Sequence, residues 1–257
     1  MDAATGRVYR GGARVDRVAL TGSARRRHHA RMLPAAGPVE VNNHVHTTYS
    51  KDSFITPEDL IYYAKKRGLN ACAVTDHDTL EGAYKIAQQT DFLIIPGMEV
   101  SSSDGHIVAL NVHELIPRGF SAVETVKRIH RAGGVAIACH PYIYFKGCLR
   151  EHVCASFDAI EVINARAFPF NNSVKKAEEA AQRLNLSRVA GTDAHYGPQI
   201  GYGYTVIEAE EPSVDAIAKA IVEGHCQAFG QPVPVILNVN QTFWPLKRWV
   251  KILSNRI

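Results

Sequence analysis

The stretch VNNHVHTTYSKDS at residues 41–53 ends an apolar, strand-like run with two histidines, His44 and His46. Small hydroxyl residues and an acid, Asp52, follow at once. In an extended strand, residues i and i+2 point to the same side, so both imidazoles face one point. A single histidine at a strand end is more often a structural residue than a ligand. The interpretation therefore depends on partners elsewhere in the chain.

From residue 38 onward, short apolar runs alternate with amphipathic segments, which is typical of a mostly parallel sheet covered by helices. Seven runs are predicted strands: VEVNN (39–43), ACAVT (71–75), FLII (92–95), HIVALNV (106–112), VAIAC (135–139), AIEVI (159–163) and RVAG (188–191). A further run, GYTVIE, follows at 203–208. The pattern fits either a barrel or an open doubly wound sheet. The lack of a GxGxxG or GxxxxGK[ST] turn argues against a Rossmann or P-loop protein.

Capping residues and stop signals place the intervening helices. Thr56 is a predicted N-cap, with Pro57 at the first helical position and Gly68 as the stop. The remaining helices are predicted at 79–89, from Ser121 to the glycines at 133–134, over 171–184 and over 213–224.

Charge is distributed unevenly along the 257 residues. Residues 1–37 carry eight arginines, no lysine and two aspartates, so the remainder has a formal charge of −2 out of a total of +4. This leader lacks hydrophobic periodicity and is predicted to be disordered. Its composition resembles a transit peptide or a segment that contacts RNA or anionic lipid. The favoured interpretation is nevertheless that translation begins near Met32 or that the leader is a dispensable extension.

Cysteine usage and hydropathy favour a cytoplasmic protein. The five cysteines form no CxxC pair, and Cys72 and Cys139 lie in apolar runs, where a free thiol behaves as a small hydrophobe. No apolar run approaches the ~20 residues that span a bilayer. The C-terminal segment from 242 to 257 has Trp244 and Trp249 among cations, and it is predicted to pack on its own domain or on a neighbouring subunit, with membrane contact as the alternative.

Nine polar residues lie at the ends of the predicted strands. They are His44, His46, Asp52, His77, Glu99, His106, His140, Asp193 and His195. Taken singly, each has a structural explanation: the DHD at 76–78 could cap the next helix, and the HP at 140–141 is a common turn. In a parallel α/β fold, however, the strand ends meet at one face. Nine buried polar groups facing one another, each costing about 1–3 kcal/mol when unpaired, predict a metal site.

The residue types indicate which ions. Imidazole together with carboxylate suits Zn²⁺, Mn²⁺ or Fe²⁺, whereas an all-oxygen set suits Ca²⁺ or Mg²⁺. Glu99 has two carboxylate oxygens and can bridge two ions. Such a pair of ions converts a shared water into hydroxide near neutral pH and neutralises phosphoryl oxygens.

The succession HVHTTYSKDS, VTDHDTLEG, GMEVSSSDGHIVAL, ACHP and GTDAH resembles the PHP family, the polymerase and histidinol phosphatase domain. The resemblance covers roughly residues 39–230, so that residues 38–257 are interpreted as a PHP domain with a C-terminal extension. It implies a distorted seven-stranded β/α (TIM-like) barrel with two or three divalent ions. Many members have aspartate where this chain has Asn42, which implies altered hydrogen bonding around the ligands.

The resemblance also implies how the ligands divide among three ions. The first site would use His44, His46, Glu99 and Asp193. The second would use Glu99 as the bridge with His106 and His140. The third would use Asp52, His77 and His195.

The implied reaction is metal-dependent hydrolysis of a phosphate ester by a metal-bridging hydroxide. Glu99, Asp193 and His195 are the predicted catalytic residues, with His195 or an ion-bound water handling protons. Arg166 and Asn164 follow another strand end and are predicted to contact the substrate phosphate, since a guanidinium matches phosphate geometry. For Arg166, a surface ion pair is the alternative.

Four functions are compatible with this reading. The favoured one is a phosphoesterase for a small phosphorylated substrate, nucleotide-like in character. The nearest rival is an exonuclease or oligoribonuclease on short nucleic acids. The net charge of −2 after the leader and the short connection between His106 and His140 argue against a long nucleic acid. A histidinol-phosphatase-like activity is a third option, and a non-enzymatic role in DNA replication or repair a fourth.

Overall fold

The structure, a computed structural model, describes residues 37–144 and 147–243. The predictions for the arginine-rich leader and for Trp244 and Trp249 lie outside these residues. The described strands are β1 (Val39–Val45), β2 (Ala71–Val74), β3 (Leu93–Ser101), β4 (His106–Leu110), β5 (Val135–Ala138), β6 (Ala159–Asn164), β7 (Ser187–Gly191), β8 (Gly203–Ile207) and β9 (Cys226–Gly230). The α-helices are α1 (Pro57–Lys66), α2 (Glu81–Ala87), α3 (Ala122–Arg131), α4 (Phe170–Leu184) and α5 (Val214–Val222).

One sheet contains all nine of these strands, in the order β7-β6-β5-β4-β3-β2-β1-β8-β9. Each of the seven predicted runs forms one of the strands β1 to β7, although β3 extends beyond the predicted 92–95 to Ser101 and so contains Glu99. The predicted strand count of seven is nevertheless wrong for the described residues, because β8 pairs antiparallel with β1 and β9 pairs antiparallel with β8. The run at 203–208 forms β8, whereas β9 is short and largely exposed, so it lacks the apolar signature of a buried strand.

The direction of β4 departs from the expected parallel sheet. It runs antiparallel to both β3 and β5. Only residues 102–105 separate β3 from β4, and this connection is too short for the crossover that parallel neighbours need. The start of β4 therefore lies at the same end of the sheet as the carboxyl ends of β1, β2 and β3.

The sheet curls into a nearly closed barrel, which confirms the predicted barrel class. At the closure, Val45 and Ala194 form a parallel bridge beyond the end of β7. The His46 amide donates to the carbonyl of Ala194 at 3.0 Å, and the Asp193 amide donates to the carbonyl of His44 at 2.8 Å. These bonds bring the residues that follow β7 directly beside the end of β1.

Burial on both faces explains why the strands appear as continuous apolar runs. Every residue of β2 and β5 is buried, because helices cover the outside of the barrel and side chains fill the inside. The predicted caps are also present. Thr56 accepts a hydrogen bond from the Asp59 amide at 3.1 Å, and Ser121 accepts one from the Glu124 amide at 3.3 Å. Helix α2 is shorter than predicted and spans Glu81–Ala87.

The close approach of β7 and β8 gives a first prediction. A Cβ atom added at Gly203 would overlap the carbonyl oxygen of Gly191, a backbone atom that cannot rotate away. We expect Gly203→Ala to lower the free energy of unfolding by about 2–3 kcal/mol, measured by urea denaturation. Gly37→Ala is the control, since a Cβ there would have no neighbour within 4 Å. An unchanged urea midpoint for Gly203→Ala would show that β7 and β8 can move apart without loss of stability.

Candidate metal centre

The nine predicted ligand residues all lie at one end of the barrel. Those on or after β1, β2, β3, β5 and β7 reach this end because these strands run in the same direction. His106 reaches it from the start of β4, because that strand runs the opposite way. The structure thus brings together every residue of the predicted ligand set, although the interpretation of each as a ligand stays a prediction.

The Glu99 carboxylate is the centre of the cluster, and only 1% of its side chain is exposed. Its Oε1 atom lies 2.9 Å from Nδ1 of His106 and 2.8 Å from Nε2 of His140. Its Oε2 atom lies 3.1 Å from Nε2 of His46 and 3.0 Å from Nδ1 of His77. Each oxygen therefore faces a different pair of imidazoles, as a carboxylate that bridges two ions would.

The donors of the predicted first site face a common point. The Nε2 atoms of His44 and His46 are 3.1 Å apart, as expected for residues i and i+2 on one side of a strand. Oδ1 of Asp193 lies 3.4 Å from Nε2 of His46 and 3.8 Å from Nε2 of His44. Oε2 of Glu99 completes the group at 3.6 Å from Nε2 of His44.

The donors of the predicted third site form a separate group nearer the surface. Oδ2 of Asp52 lies 3.3 Å from Nε2 of His77 and 3.1 Å from Nε2 of His195. Half of the Asp52 side chain is exposed, whereas His195 is buried. The imidazoles of His46 and His195 stack with centroids 4.3 Å apart, so the first and third groups adjoin.

The buried carboxylates of the cluster favour positive charge beside them. Burial opposes ionisation of Glu99 and Asp193, but His44 and the other cationic neighbours hold the pKa of both carboxyl groups well below the usual range. Burial likewise opposes protonation of His46, but hydrogen bonds to Asp193 and Glu99 raise its pKa to about 9. Divalent cations would supply the same positive charge without the protons.

Two observations show that the residues fit divalent ions. The donors are imidazole nitrogens and carboxylate oxygens, the set that Zn²⁺, Mn²⁺ and Fe²⁺ prefer. Within the described residues, Nδ1 of His140 is buried and has no hydrogen-bond partner, and the backbone of His140 is held at a φ of 31°. Strained backbone of this kind persists where the surroundings fix it, most often at functional sites.

Glu161 is a site residue that the sequence analysis missed. It is buried in β6, with Oε1 3.2 Å from Nδ1 of His44, and its Oε2 accepts hydrogen bonds from the His140 amide at 2.7 Å and from Nδ2 of Asn164 at 3.0 Å. It thereby orients two predicted ligands from behind. The sequence did contain a signal, an acid in the middle of the apolar run AIEVI. A charged side chain is buried in such a strand only where it has partners.

This arrangement gives a second prediction. Glu161→Gln keeps the size of the side chain but removes the charge that fixes the His44 ring, so we expect metal affinity to fall about 10–100-fold. Isothermal titration of the chelated protein with Mn²⁺ measures the change. Glu179→Gln on the exposed face of α4 is the matched control. If Glu161→Gln bound Mn²⁺ with wild-type affinity, the charge of Glu161 would not be needed to orient the His44 ring.

A further carboxylate, that of Asp76, holds the loops that carry His46 and His77. The amide and hydroxyl of Thr47 donate to Asp76 at 2.6 and 2.7 Å. The alternative that the DHD acids cap α2 is wrong, because α2 has no side-chain cap hydrogen bond, and Asp78 instead accepts from the Ser101 amide at 2.8 Å. Asp76 therefore fixes the loop after β1 to the loop after β2.

Asn42 tethers the end of β7 to β1. Its Nδ2 atom donates to the Thr192 hydroxyl at 2.8 Å, and its Oδ1 atom accepts from the Thr192 amide at 3.0 Å. An ionised aspartate could accept but not donate here. The amide thus supports the predicted ligand Asp193, which follows Thr192 directly.

A cavity of about 230 Å³ opens over the cluster. Ile143, Asn164 and Arg166 line it together with six of the nine predicted ligands. Nη1 of Arg166 donates to the carbonyl of Asp193 at 2.9 Å and lies against the His195 ring. The Asn164 amide is occupied by Glu161 and, at 3.5 Å, by Asp193. Both predicted substrate residues therefore lie at the cavity wall, where contact with a phosphate stays a prediction.

Comparison with known proteins agrees with this geometry. The sequence model of the PHP domain matches residues 42–143, and a second model, described as PHP-associated, matches residues 171–226. An uncharacterized protein of Methanocaldococcus jannaschii is 34% identical over 136 residues, which cover 48% of this chain and 80% of that protein. A 5′–3′ exoribonuclease of Haemophilus influenzae is 32% identical over 101 residues, 37% of this chain and 36% of that enzyme.

A solved structure extends the comparison to the fold. A two-domain protein from Bacteroides vulgatus that contains a predicted PHP-like metal-dependent phosphoesterase superposes with a TM-score of 0.63 and 18% sequence identity. The match covers 78% of this chain and 68% of that one. Fold, cluster and sequence together define a hydrolase of the metal-dependent phosphoesterase class. The chain belongs to the PHP family.

Within residues 37–144 and 147–243, no helix is both long and apolar enough to cross a membrane. The predicted cytoplasmic location stays a prediction.

Proposed function

We propose that the chain hydrolyses phosphate esters of small, nucleotide-like substrates with two or three divalent ions, Mn²⁺, Zn²⁺ or Fe²⁺, held by the nine predicted ligands. One observation carries the proposal: nine imidazole and carboxylate side chains from six strand ends converge, with Glu99 at their centre, beneath a cavity that Arg166 lines. When bound, such ions supply Lewis acidity, which lowers the pKa of water and neutralises phosphoryl oxygens.

The protein's own groups have distinct roles in this proposal. Arg166 binds the phosphoryl oxygens, because its planar guanidinium lies at the cavity wall and the Asp193 carbonyl orients it. Asn164 positions Glu161 and Asp193 and borders the substrate. Burial lowers the pKa of His195, and the nearby His46 lowers it further. Its imidazole is therefore neutral near pH 7 and suited to accept a proton or to bind an ion.

A role in substrate binding for Arg166 gives a third prediction. We expect Arg166→Ala to raise KM for a phosphate monoester about 10–100-fold with a smaller effect on kcat, since a charged hydrogen bond contributes about 1.5–3 kcal/mol. Steady-state kinetics with p-nitrophenyl phosphate and Mn²⁺ measure both constants. Arg131→Ala, on the exposed end of α3, is the control. An unchanged KM would assign Arg166 to structure alone.

An exonuclease acting on short oligonucleotides is the second candidate. The sequence match to the Haemophilus influenzae exoribonuclease favours it. The same donor set and the same cavity would also accept a phosphodiester. A nucleotide and an oligonucleotide therefore differ only in the part of the substrate that lies outside the cavity. No observation within the described residues favours histidinol phosphate specifically. The complete set of predicted ligands argues against a purely accessory role.

The deciding experiment compares substrates on one protein preparation. The purified chain with Mn²⁺ is assayed against nucleoside monophosphates, 3′,5′-bisphosphates, short oligonucleotides and histidinol phosphate, with His140→Ala as the inactive reference. We expect release of phosphate from nucleotides, abolished by EDTA and by His140→Ala. Release from oligonucleotides alone would make the nuclease the primary activity, and no EDTA-sensitive release from any ester would refute the proposal.

A further inference from the structure

A second and larger cavity adjoins the metal cavity. Its volume is about 690 Å³, and Ile143 lines both cavities. The loop that leaves the predicted ligand His140 continues along its wall through Tyr142 and Tyr144, and α4 forms the opposite side. We call this cavity the distal groove and define it by Tyr142, Ile143, Tyr144, Arg150, Lys176 and Arg183. None of the four functions considered from sequence assigned these residues a role.

The charge of the distal groove is positive although the chain after its leader is slightly acidic. Arg150, Lys176 and Arg183 line it, and Glu151 is the acid among the described lining residues. Lys176 and Arg183 lie seven residues apart on α4, so they share a face of the helix about 10 Å apart along its axis. Neither makes a side-chain hydrogen bond or ion pair with the described residues, although Lys175 beside them lies 4.0 Å from Glu179.

Aromatic rings accompany these cations. The Tyr144 side chain is 80% exposed, and its amide donates at 3.1 Å to the carbonyl of Phe168, whose ring is 64% exposed. Large exposed aromatic side chains beside a functional cavity mark a binding surface. Cations interleaved with exposed aromatics are the combination with which proteins hold single-stranded nucleic acid, because phosphates pair with the cations and bases stack on the rings.

We propose that the distal groove holds the nucleotides that follow the scissile phosphate of a short single-stranded oligonucleotide, with a base on Tyr144 and phosphates on Lys176 and Arg183. This rests on the proposed function in its second form, hydrolysis of a short oligonucleotide, since the scissile phosphate would lie in the metal cavity. A substrate with one phosphate would place that phosphate in the metal cavity and leave Lys176 and Arg183 of the groove without an anion. A chain of two to four nucleotides supplies the further phosphates and bases.

Binding in EDTA tests the groove without hydrolysis. The probe is 3′-fluorescein-labelled tetraadenylate RNA, and fluorescence anisotropy gives Kd for the full-length chain. We expect Lys176→Gln/Arg183→Gln and Tyr144→Ala each to weaken binding about tenfold, and the double variant to show a smaller dependence of Kd on salt. Tyr144→Phe, which keeps the ring, and Lys175→Gln, which removes a neighbouring cation outside the groove, should bind as the wild type does.

Kinetics with Mn²⁺ then separate the groove from the chemistry. We expect a KM at least about tenfold lower for unlabelled tetraadenylate than for AMP in the wild type, and a loss of this difference in the groove variants with AMP hydrolysis unchanged. Equal Kd values for wild type and groove variants would overturn the groove, even if AMP is hydrolysed. If no phosphate ester is hydrolysed, the proposed function fails, whereas the anisotropy result still decides whether the groove binds RNA.

Discussion

Glu99→Gln is expected to lower kcat/KM for phosphate esters by about three orders of magnitude and to reduce the metal content of the purified protein. Both Glu99 oxygens face imidazoles at 2.8–3.1 Å, so the variant removes the one anion that the predicted first and second sites share. A pair of cations stabilises the transition state by several kcal/mol. At 1.36 kcal/mol for each factor of ten in rate, losing this stabilisation accounts for the expected decrease. Steady-state assays with Mn²⁺ and elemental analysis measure the two effects.

The control for Glu99→Gln is Glu81→Gln, which changes an exposed carboxylate paired with Lys85 on α2. Circular dichroism melting separates loss of the site from loss of the fold. A Glu99→Gln protein that retains metal and more than about a tenth of wild-type kcat/KM would contradict the bridging role.

Metal-free protein is expected to lose stability as the pH rises from 6.5 towards 9. In the folded chain the pKa of His46 is raised to about 9 from its ordinary 6.5, so the folded state binds more protons than the unfolded state in this window. The stabilisation is complete below pH 6.5 and disappears as the pH rises through 9. Its size for this one group is about 3 kcal/mol.

The acid side has the opposite sign. Because the pKa values of Glu99 and Asp193 are lowered in the folded protein, their stabilisation is present above their ordinary values of 4.5 and 3.8 and is lost as the pH falls. The chelated protein should therefore be most stable between about pH 4.5 and 6.5. Added Mn²⁺ replaces protons on the imidazoles, so its stabilising effect should be larger at pH 8.5 than at pH 6.

Urea denaturation in EDTA across pH 5–9 tests this profile. His46→Gln should flatten the decline above pH 6.5, whereas His225→Gln, at an exposed position, should retain it. A stability of the chelated wild type that increases from pH 6.5 to 9 would show that the carboxylates do not hold these imidazoles in their protonated form.

The apolar runs predicted β1 to β7 because strands buried on both faces carry a continuous hydrophobic signal. The direction of each strand was harder to predict from the sequence. The antiparallel β4 follows from a four-residue connection, and β9 from pairing with β8 rather than from its own composition. These two features depend on contacts between distant segments, which a local pattern does not contain.

The site shows the same division. The convergence of the nine predicted ligand residues could be predicted because motif and topology place them together, and the structure assembles all nine. That they bind metal stays a prediction. Glu161 was missed because a lone acid inside a strand shows its partners, His44 and His140, only after β6 takes its place beside β5. The distal groove was missed because Tyr144 and Arg150 lie in the connection between β5 and β6, whereas Lys176 lies on α4, and no motif links the two segments.

Anomalous X-ray diffraction from crystals grown with Mn²⁺ tests the central claim most directly. Two or three manganese peaks should lie at one end of the barrel. Two of them should lie about 2–2.5 Å from different oxygens of Glu99, and a third, if present, among Asp52, His77 and His195. A fully occupied crystal with no peak beside Glu99, or with its imidazoles turned to other partners, would contradict the view that these side chains exist to hold metal.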